Sequence, residues 1–209
     1  MKHYIYTILA AGLLVCSCGT PSGTKSDTKA ENAVIEAIMS RRSIRVYKDT
    51  PVEREKLQRI AECGVNAPNA MNAQNWNVRI IDSKEYIDGV TEIYKAANPE
   101  AVQRDPNFKN MFRNAPAVIA VAAPQGGYSS IDCGLLGENI MLAAHSLGLG
   151  TCCLGGPVRF LSSNADAKPY LDRLKLDDGY ELLYLIAVGY PDEAPEARPR
   201  NLDKIRFVE

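Results

Sequence analysis

Three arginines surround a serine in the stretch SRRSIRVY, which spans residues 40–47. Arg41, Arg42 and Arg45 carry guanidinium groups, which form paired, charge-assisted hydrogen bonds with a carboxylate or a phosphate. The hydroxyl group of Ser43 adds a further donor. The stretch directly follows the helix-periodic run NAVIEAIM, so the alternative is that these cations offset the negative end of a helix macrodipole. The residue types therefore indicate either an anion-binding site or an ordinary helix end.

Helices and strands alternate along the rest of the chain, as judged from the spacing of apolar residues. Apolar residues that recur every three to four positions predict helices, and Gly148 or Gly150 is expected to end the last of them. Alternating or continuous apolar runs predict strands, of which APAVIAVAA is expected to be buried on both faces. The predicted helices span 32–39, 51–64, 84–98 and 131–147, and the predicted strands span 75–82, 115–123 and 180–191. This interleaving predicts an α+β fold, with α/β as the alternative.

The first 32 residues differ in composition from the rest of the chain. Residues 1–17 combine one lysine, a short apolar run and small residues around two cysteines, which is typical of a secretory signal peptide. The segment resembles a bacterial lipoprotein signal, with Cys18 as the lipid-anchored residue and Cys16 as the weaker candidate. A buried N-terminal helix is the alternative. Residues 18–32 are rich in Gly, Ser, Thr and Lys and predict a flexible tether. We therefore expect one folded domain over residues 33–209, anchored to a membrane on the extracytoplasmic side of the cell envelope.

The composition argues against several classes of function. The 24 Lys and Arg residues are balanced by 25 Asp and Glu residues, so the excess positive charge of a nucleic-acid surface is absent. His145 is the only histidine of the expected mature chain, and no G-x-S-x-G stretch accompanies it. We interpret His145 as an ordinary helix residue rather than as the base of a hydrolase.

The cysteines do not predict a metal site. Four of them follow the N-terminal pair: Cys63, Cys133, Cys152 and Cys153. They form no C-x-x-C pair and no histidine-rich spacing accompanies them, so we expect no zinc. We interpret all four as small core residues, and a disulfide between non-adjacent ones stays open for an oxidising compartment.

Four motifs occur in a characteristic order. SRRSIRVY follows the first helix, APNAMNAQNW follows the second, HSLGLGTCCLGGP follows the long apolar helix, and GYP is followed by RPR near the C-terminus. In this order and spacing, the region from about Val34 to Val208 resembles the nitroreductase family. Each motif alone is weak evidence, so the resemblance depends on all four together.

The resemblance implies a fold, an assembly and a cofactor. The fold is a central mixed sheet flanked by helices, and the assembly is a homodimer with swapped C-terminal arms and two FMN molecules at its interface. The proline-rich tail fits such an arm, because it cannot bury itself as a helix. Arg41, Arg42 and Ser43 match the ligands of the FMN phosphate and ribityl chain, and Arg198 and Arg200 match a basic pair near the phosphate. The anion expected at the first motif is then a phosphate, which carries nearly two charges.

The resemblance also implies ligands for the flavin ring. Asn72 and Gln74 match amides that bind the pyrimidine edge, with turn-capping side chains as the alternative. Gly155 and Gly156 match the catalytic positions whose backbone N–H groups point to flavin N5 and O4, with a plain turn as the alternative. Arg45 matches a cation near N1 and O2 that stabilises the reduced ring, with an exposed surface cation as the alternative.

Three features distinguish this chain within the resemblance. Asn75 stands where the family carries proline, which predicts a looser loop. Cys153 stands where many relatives carry a bulky residue, which predicts more room beside the ring. The variable segment 98–113 predicts a lid in which Phe108 or Phe112 covers the flavin, although both aromatics fit a core equally well.

The implied reaction needs no side-chain acid or base. A hydride passes from a reduced donor, NAD(P)H by resemblance, through flavin N5 to a nitro, quinone or similar acceptor, with ping-pong turnover at one face. The expected envelope location conflicts with NAD(P)H, because reduced nicotinamides are cytoplasmic, so a quinol or a partner protein is a further candidate donor. The alternatives are a flavin-binding lipoprotein without turnover and a relative that removes halogen or cleaves flavin.

Overall fold

The computed structural model describes residues 32–209. The expected signal peptide and nearly all of the expected tether lie outside the described residues. Within this range the helices are α1 (Ala33–Ser40), α2 (Arg54–Val65), α3 (Lys84–Ala97), α4 (Pro99–Arg104), α5 (Ser129–Ser146), α6 (Gly156–Ser163) and α7 (Lys168–Asp172). The strands are β1 (Asn77–Ile81), β2 (Ala117–Pro124), β3 (Gly150–Leu154) and β4 (Tyr180–Gly189).

The four strands form one sheet in the order β1-β2-β4-β3. Each neighbouring pair is antiparallel, so the sheet of named strands is antiparallel rather than mixed. A parallel contact occurs at the β3 edge, as the isolated bridge between Ser43 and Thr151. The α+β class is confirmed, and this bridge attaches the first arginine motif directly to the sheet.

Helices cover both faces of the sheet. Strand β2 is buried from Ala117 to Ala123, and its side chains alternate between the two faces. One core packs the sheet against α3 and α6, with Val90 and Leu161 buried in it. The other core packs it against α2 and α5, through the fully buried Ile60, Leu136 and Ile140. The predicted burial of APAVIAVAA on both faces is confirmed.

Two elements next to the third motif were not predicted from the sequence. Strand β3 has only five residues, and helix α6 begins with Gly156 and Pro157, directly after Gly155. Such short, glycine-flanked elements lack the apolar periodicity on which the predictions rested. Helix α5 ends at Ser146, and Gly148 follows with a φ of 74°, a left-handed conformation that glycine adopts without strain. Gly148 is therefore the residue that ends this helix, while Gly150 begins β3.

The cysteine interpretation is partly wrong. Cys133 and Cys152 are buried and Cys63 is half-buried, but Cys153 is exposed. It lies on β3, where the side chains of successive residues point to opposite faces, so Cys152 packs in the core while Cys153 does not. All four thiols within residues 32–209 are free.

Candidate functional site

The arginine motif lies as an extended segment, residues 41–48, along the β3 edge of the sheet. The backbone N–H of Ile44 donates to the carbonyl oxygen of Thr151 at 2.9 Å, and that of Lys48 donates to Tyr190 at 2.9 Å. The segment lies so close to β3 that a Cβ on Gly150 would be 2.7 Å from Ile44 Cγ1. Helix α1 ends at Ser40, directly before these contacts, so the arginines belong to an edge segment and not to a helix surface.

The carboxylate of Glu193 fixes the same segment from its other side. Its Oε1 accepts hydrogen bonds from the backbone N–H of Arg45 and, at 3.2 Å, from that of Val46. The backbone N–H of Asp192 also donates to Val46, at 3.0 Å. The start of the C-terminal tail and strand β3 therefore hold the arginine segment between them.

A large cavity of about 740 Å³ opens where Arg45 meets the end of β3. It brings together Arg45, Gly155 and Gly156, three of the residues expected to bind the flavin ring, and Cys153 also lines it. Its far wall comes from the segment between α3 and β2 and from α6. Three predicted ring ligands thus share one space, while their role as ligands stays a prediction.

The two glycines leave open space at the start of α6. A Cβ added to Gly155 or to Gly156 would meet no atom within 4 Å, so the protein's own packing does not require glycine there. The φ of Gly155 is −101°, which any residue adopts. In the first turn of α6 the N–H groups of Gly156 and Val158 lack intrahelical partners, whereas Pro157 has no N–H and the N–H of Arg159 donates to the Gly155 carbonyl oxygen at 3.2 Å. The helix dipole is positive at this end. This combination suits a group that bears negative charge and approaches the backbone closely.

A second cavity of about 420 Å³, the arginine cavity, is lined by Arg41 and Arg42. Arg41 Nε is buried without a hydrogen-bond partner, although Glu138 Oε1 lies 3.4 Å away, within ion-pair range. Arg42 Nη1 donates to the carbonyl oxygens of Met39 and Arg41, at 2.7 and 2.8 Å. A guanidinium donor without a hydrogen-bond partner at a cavity is suited to bind an anionic group there.

Adjacent residues of the arginine segment line the two cavities, which share no lining residue. Ile44 and Thr151 line the arginine cavity, whereas Arg45 and Cys152, the residues that follow them in sequence, line the large cavity. Ser43, expected to contact the ribityl chain, forms the bridge to Thr151 at this position. The arginine segment therefore contributes Arg41 to one cavity and Arg45 to the other.

The motif APNAMNAQNW forms a separate loop. Asn72 and Gln74 are exposed and line neither of the two cavities. Their side chains make no hydrogen bond to residues 32–209, and the turn is capped by Asn69, whose Oδ1 accepts from the Gln74 N–H at 2.8 Å. The turn-capping alternative is therefore wrong for both amides. Within the single chain the structure does not bring them to Arg45 and Gly155.

The backbone of this amide loop, residues 69–76, is unusual. Met71, Asn72 and Gln74 have φ values of 54°, 53° and 52°, in the left-handed region that residues other than glycine seldom adopt. The buried carboxylate of Asp132 accepts from the Ala70 N–H through both oxygens at 3.2 Å. Strained backbone persists where its surroundings hold it, and here Asp132 does so from the first turn of α5.

The C-terminal arginines lie on the exposed tail. Arg200 Nη1 donates to the carbonyl oxygen of Arg198 at 3.1 Å, and both side chains are exposed. Ala197, the residue directly before Arg198, lines the arginine cavity, but the two guanidinium groups do not. The structure thus brings the tail backbone, and not its cations, to Arg41.

The two phenylalanines of the expected lid, Phe108 and Phe112, lie in different environments. Phe112 is fully buried and belongs to the core. Phe108 lines the large cavity and stacks on Tyr94, with ring centroids 5.9 Å apart.

The arginine segment is also supported by the buried side chain of Tyr47. Its hydroxyl donates to the Ile44 carbonyl oxygen at 2.6 Å, and burial raises the pKa of Tyr47 well above its usual range. Tyr47 is therefore a neutral support for the arginine segment.

Several residues around the site were not singled out as functional from the sequence. His145 lines the arginine cavity and its Nε2 lies 2.8 Å from Ser40 Oγ, although it was interpreted as an ordinary helix residue. Glu193 and Asp132 fix the two binding segments from 147 or 148 and 62 residues away in sequence. No local pattern connects residues so far apart, so none of these roles had a sequence signal.

The described residues were also considered for membrane-spanning helices and for metal ligands. Between residues 32 and 209, the helices are too short or too polar to cross a bilayer. The same stretch contains no cluster of side chains that could hold a metal ion.

The fold and the site define an α+β protein with two cavities, both lined by arginine, at one edge of an antiparallel sheet. A sequence profile described as the nitroreductase family matches residues 38–190. The chain belongs to the nitroreductase family.

Individual relatives agree with this assignment. The NADPH-flavin oxidoreductase of Vibrio harveyi is 28% identical over 174 residues, which cover 81% of this chain and 70% of the relative. The crystal structure of a nitroreductase with bound FMN from Desulfitobacterium hafniense has a TM-score of 0.73 and 28% identity, and covers 85% of this chain and 99% of its own. An FMN-bound nitroreductase from Bacteroides fragilis has a TM-score of 0.71 and covers 85% of this chain and 100% of its own. Its 22% identity makes it evidence for the fold alone.

Proposed function

We propose that the protein is an FMN-dependent oxidoreductase that moves a hydride from a reduced donor to a nitro, quinone or similar acceptor. The observation that carries this proposal is the pair of cavities lined by neighbouring residues of the arginine segment. One is lined by Arg41, whose buried Nε has no hydrogen-bond partner, and the other by the open glycine backbone at the start of α6. FMN, when bound, supplies reversible hydride transfer at its N5 atom. Similarity to the FMN-bound nitroreductase from Desulfitobacterium hafniense, at 28% identity, supports the same cofactor.

The residues of the chain would divide the work by position. Arg41 and Arg42 would bind the phosphate, because both line the arginine cavity. Ser43 would bind the ribityl chain, because it is the next residue along the segment and forms the bridge to Thr151. The backbone of Gly155 and Gly156 would donate to the ring, and Arg45 would stabilise its negative charge on reduction. Donor and acceptor would use the large cavity in turn, which is ping-pong kinetics.

A homodimer would complete this site. Helix α1 has no buried residue, and its apolar side chains are 50–67% exposed: Val34, Ile35, Ile38 and Met39. The tail ends in further exposed apolar residues: Leu202, Ile205, Phe207 and Val208. Such surfaces are typical of a subunit interface. We infer that the tails are swapped arms, that Arg198 and Arg200 reach a phosphate in the dimer, and that Asn72 and Gln74 reach a flavin there.

We also propose a cellular location for the protein and a class of electron donor. The composition of residues 1–17 supports a lipoprotein signal, with a lipid anchor at Cys18 in the cell envelope. Because reduced nicotinamides are cytoplasmic, a quinol or a partner protein is the donor consistent with that location, whereas similarity to the NADPH-flavin oxidoreductase of Vibrio harveyi favours NAD(P)H.

The test is the visible spectrum of the purified protein, followed by anaerobic additions of NADH, NADPH and a soluble quinol. We expect bound FMN whose absorption near 450 nm bleaches with at least one donor and returns on addition of a nitroaromatic compound. A protein that binds neither FMN nor riboflavin would overturn the proposal. Bound FMN that dithionite reduces but no acceptor reoxidises would instead support the flavin-binding lipoprotein without turnover.

A further inference from the structure

The large cavity is lined by more arginines than the proposed flavin site requires. Three arginines line it, Arg45, Arg113 and Arg159, against a single carboxylate, that of Asp105. None of the three takes part in an ion pair within residues 32–209, whereas Arg41 in the arginine cavity faces Glu138. Arg45 has a role at the flavin ring, so Arg113 and Arg159 are two cations that the proposed function leaves unassigned.

The backbone presents Arg113 in a costly conformation. Arg113 and its neighbour Asn114 have φ values of 62° and 61°, a pair of consecutive left-handed residues without glycine. The side chain of Asn114 holds this turn, because its Oδ1 accepts from the N–H groups of Lys109 and Asn110 at 2.8 and 3.0 Å. Its Nδ2 donates to Asn107 at 2.9 Å. A strained turn with this much support points to a function for the residue it displays.

The wall that faces these cations is aromatic. Tyr94 on α3 stacks with Phe108 at 5.9 Å and meets Phe160 on α6 edge to face at 5.1 Å. All three side chains line the cavity, and Phe160 follows Arg159 directly. A volume of about 740 Å³ lies within the range of roughly 300–1,000 Å³ found for small-molecule sites. The cavity is therefore large enough for a small flat molecule in contact with this wall.

We propose that the electron acceptor is a planar aromatic compound with an anionic substituent, which Arg113 and Arg159 bind while the aromatic wall holds the ring. This proposal rests on the proposed function. Guanidinium groups without carboxylate partners bind a carboxylate through paired hydrogen bonds, and the aromatic side chains supply apolar contact area. The diphosphate of a nicotinamide donor carries the same kind of charge, so the test separates donor from acceptor.

The test uses two acceptors of nearly equal shape, 4-nitrophenylacetate and its neutral amide. Reduction of either to the nitroso compound takes one hydride and one proton and releases one water. FMN-loaded protein is reduced with one equivalent of dithionite and mixed anaerobically with each acceptor, so that no nicotinamide is present. The measured quantity is the ratio of the two second-order reoxidation rate constants, carboxylate over amide.

We expect this ratio to exceed about 10 in the unaltered protein, and to fall at least about tenfold in the double variant Arg113→Gln/Arg159→Gln. The matched control is Arg59→Gln, because Arg59 is exposed on α2 and pairs with Glu62 outside the cavity. Its ratio should equal that of the unaltered protein.

Three results would overturn the proposal. The first is a ratio near 1 in the unaltered protein, and the second is a ratio that the double variant leaves unchanged. The third is a double variant that loses only its rate of reduction by NADPH, measured separately, because the arginines would then serve the donor. Loss of FMN, or failure of both acceptors to reoxidise the reduced protein, would instead count against the proposed function.

Discussion

The arginine segment and the amide loop are both expected to bind flavin, but different kinds of contact hold them. Residues 41–48 are fixed by backbone hydrogen bonds to Thr151, Tyr190 and Asp192 on two sides. Residues 69–76 are closed mainly by hydrogen bonds within the loop and to the adjoining residues Ala67 and Asn77, and among the described residues Asp132 is the one hydrogen-bond partner that is distant in sequence. The first region is part of the sheet edge, whereas the second depends on one distant side chain.

The difference shows where substitutions should matter. Backbone hydrogen bonds remain when a side chain is replaced. The arginine side chains are therefore not needed to hold the segment in place and are available for ligand binding. The amide loop has three left-handed residues, and its conformation has to be enforced by Asp132. We therefore expect single side-chain substitutions to damage the shape of the amide loop more than that of the arginine segment.

The largest effect on stability is expected for Asp132→Ala. It leaves the partly buried N–H of Ala70 without an acceptor and removes an acidic group from the first turn of α5. The free energy of unfolding should fall by about 2–3 kcal/mol, as measured by urea denaturation. Asp132→Asn keeps one acceptor oxygen and should lose less than half as much. Equal stability of Asp132→Ala and the unaltered protein would mean that the loop holds its own shape.

The next largest effect concerns the packing of the arginine segment. Gly150→Ala places a methyl group 2.7 Å from Ile44 Cγ1 and 2.8 Å from Ile44 Cβ, close to the backbone of a stiff, β-branched residue. We expect a loss of about 1–2 kcal/mol, together with weaker FMN binding because the segment moves away from β3. Melting temperature and FMN titration measure the two effects. A lower melting temperature with unchanged FMN affinity would show that the segment does not contain the residues that bind the FMN phosphate.

The sequence predicted the fold better than the site. The long elements β2, β4 and α5 have clear apolar periodicity, and all three occur. Strand β3 is short and glycine-flanked, so its burial comes from its neighbours and not from its own pattern. At the site, the motifs indicated Arg45, Gly155 and Gly156, which line one cavity. Local motifs cannot identify Asp132 or Glu193, because their partners are distant in sequence and the chain has to fold before they meet.

A smaller effect is expected at the carboxylate that clamps the arginine segment. Glu193→Ala removes the acceptor for the N–H groups of Arg45 and Val46, but these groups are near solvent and water can replace the carboxylate. The free energy of unfolding should fall by less than about 1 kcal/mol, clearly less than for Asp132→Ala. Comparing the two variants in the same urea series checks the order. The reverse order would contradict the contrast between backbone-held and side-chain-held regions.

The smallest effect on stability is expected for Gly156→Ala. The added methyl group meets nothing within 4 Å, and alanine favours the first position of α6. Stability should stay within about 0.5 kcal/mol of the unaltered protein, whereas FMN binding should weaken because the methyl group occupies the cavity. Thermal unfolding of the FMN-free protein and FMN titration give the two values. Unchanged FMN affinity would show that the ring does not approach this backbone.

The most direct test of the account compares the binding of FMN and riboflavin to the unaltered protein and to Arg41→Ala. Riboflavin lacks the phosphate, so it reports the ring and ribityl contacts alone. If the buried Arg41 guanidinium binds the phosphate, the substitution should raise the Kd of FMN about 10- to 100-fold and leave that of riboflavin unchanged. An equal change for both ligands, or no change for FMN, would contradict the central claim that the arginine cavity holds the phosphate.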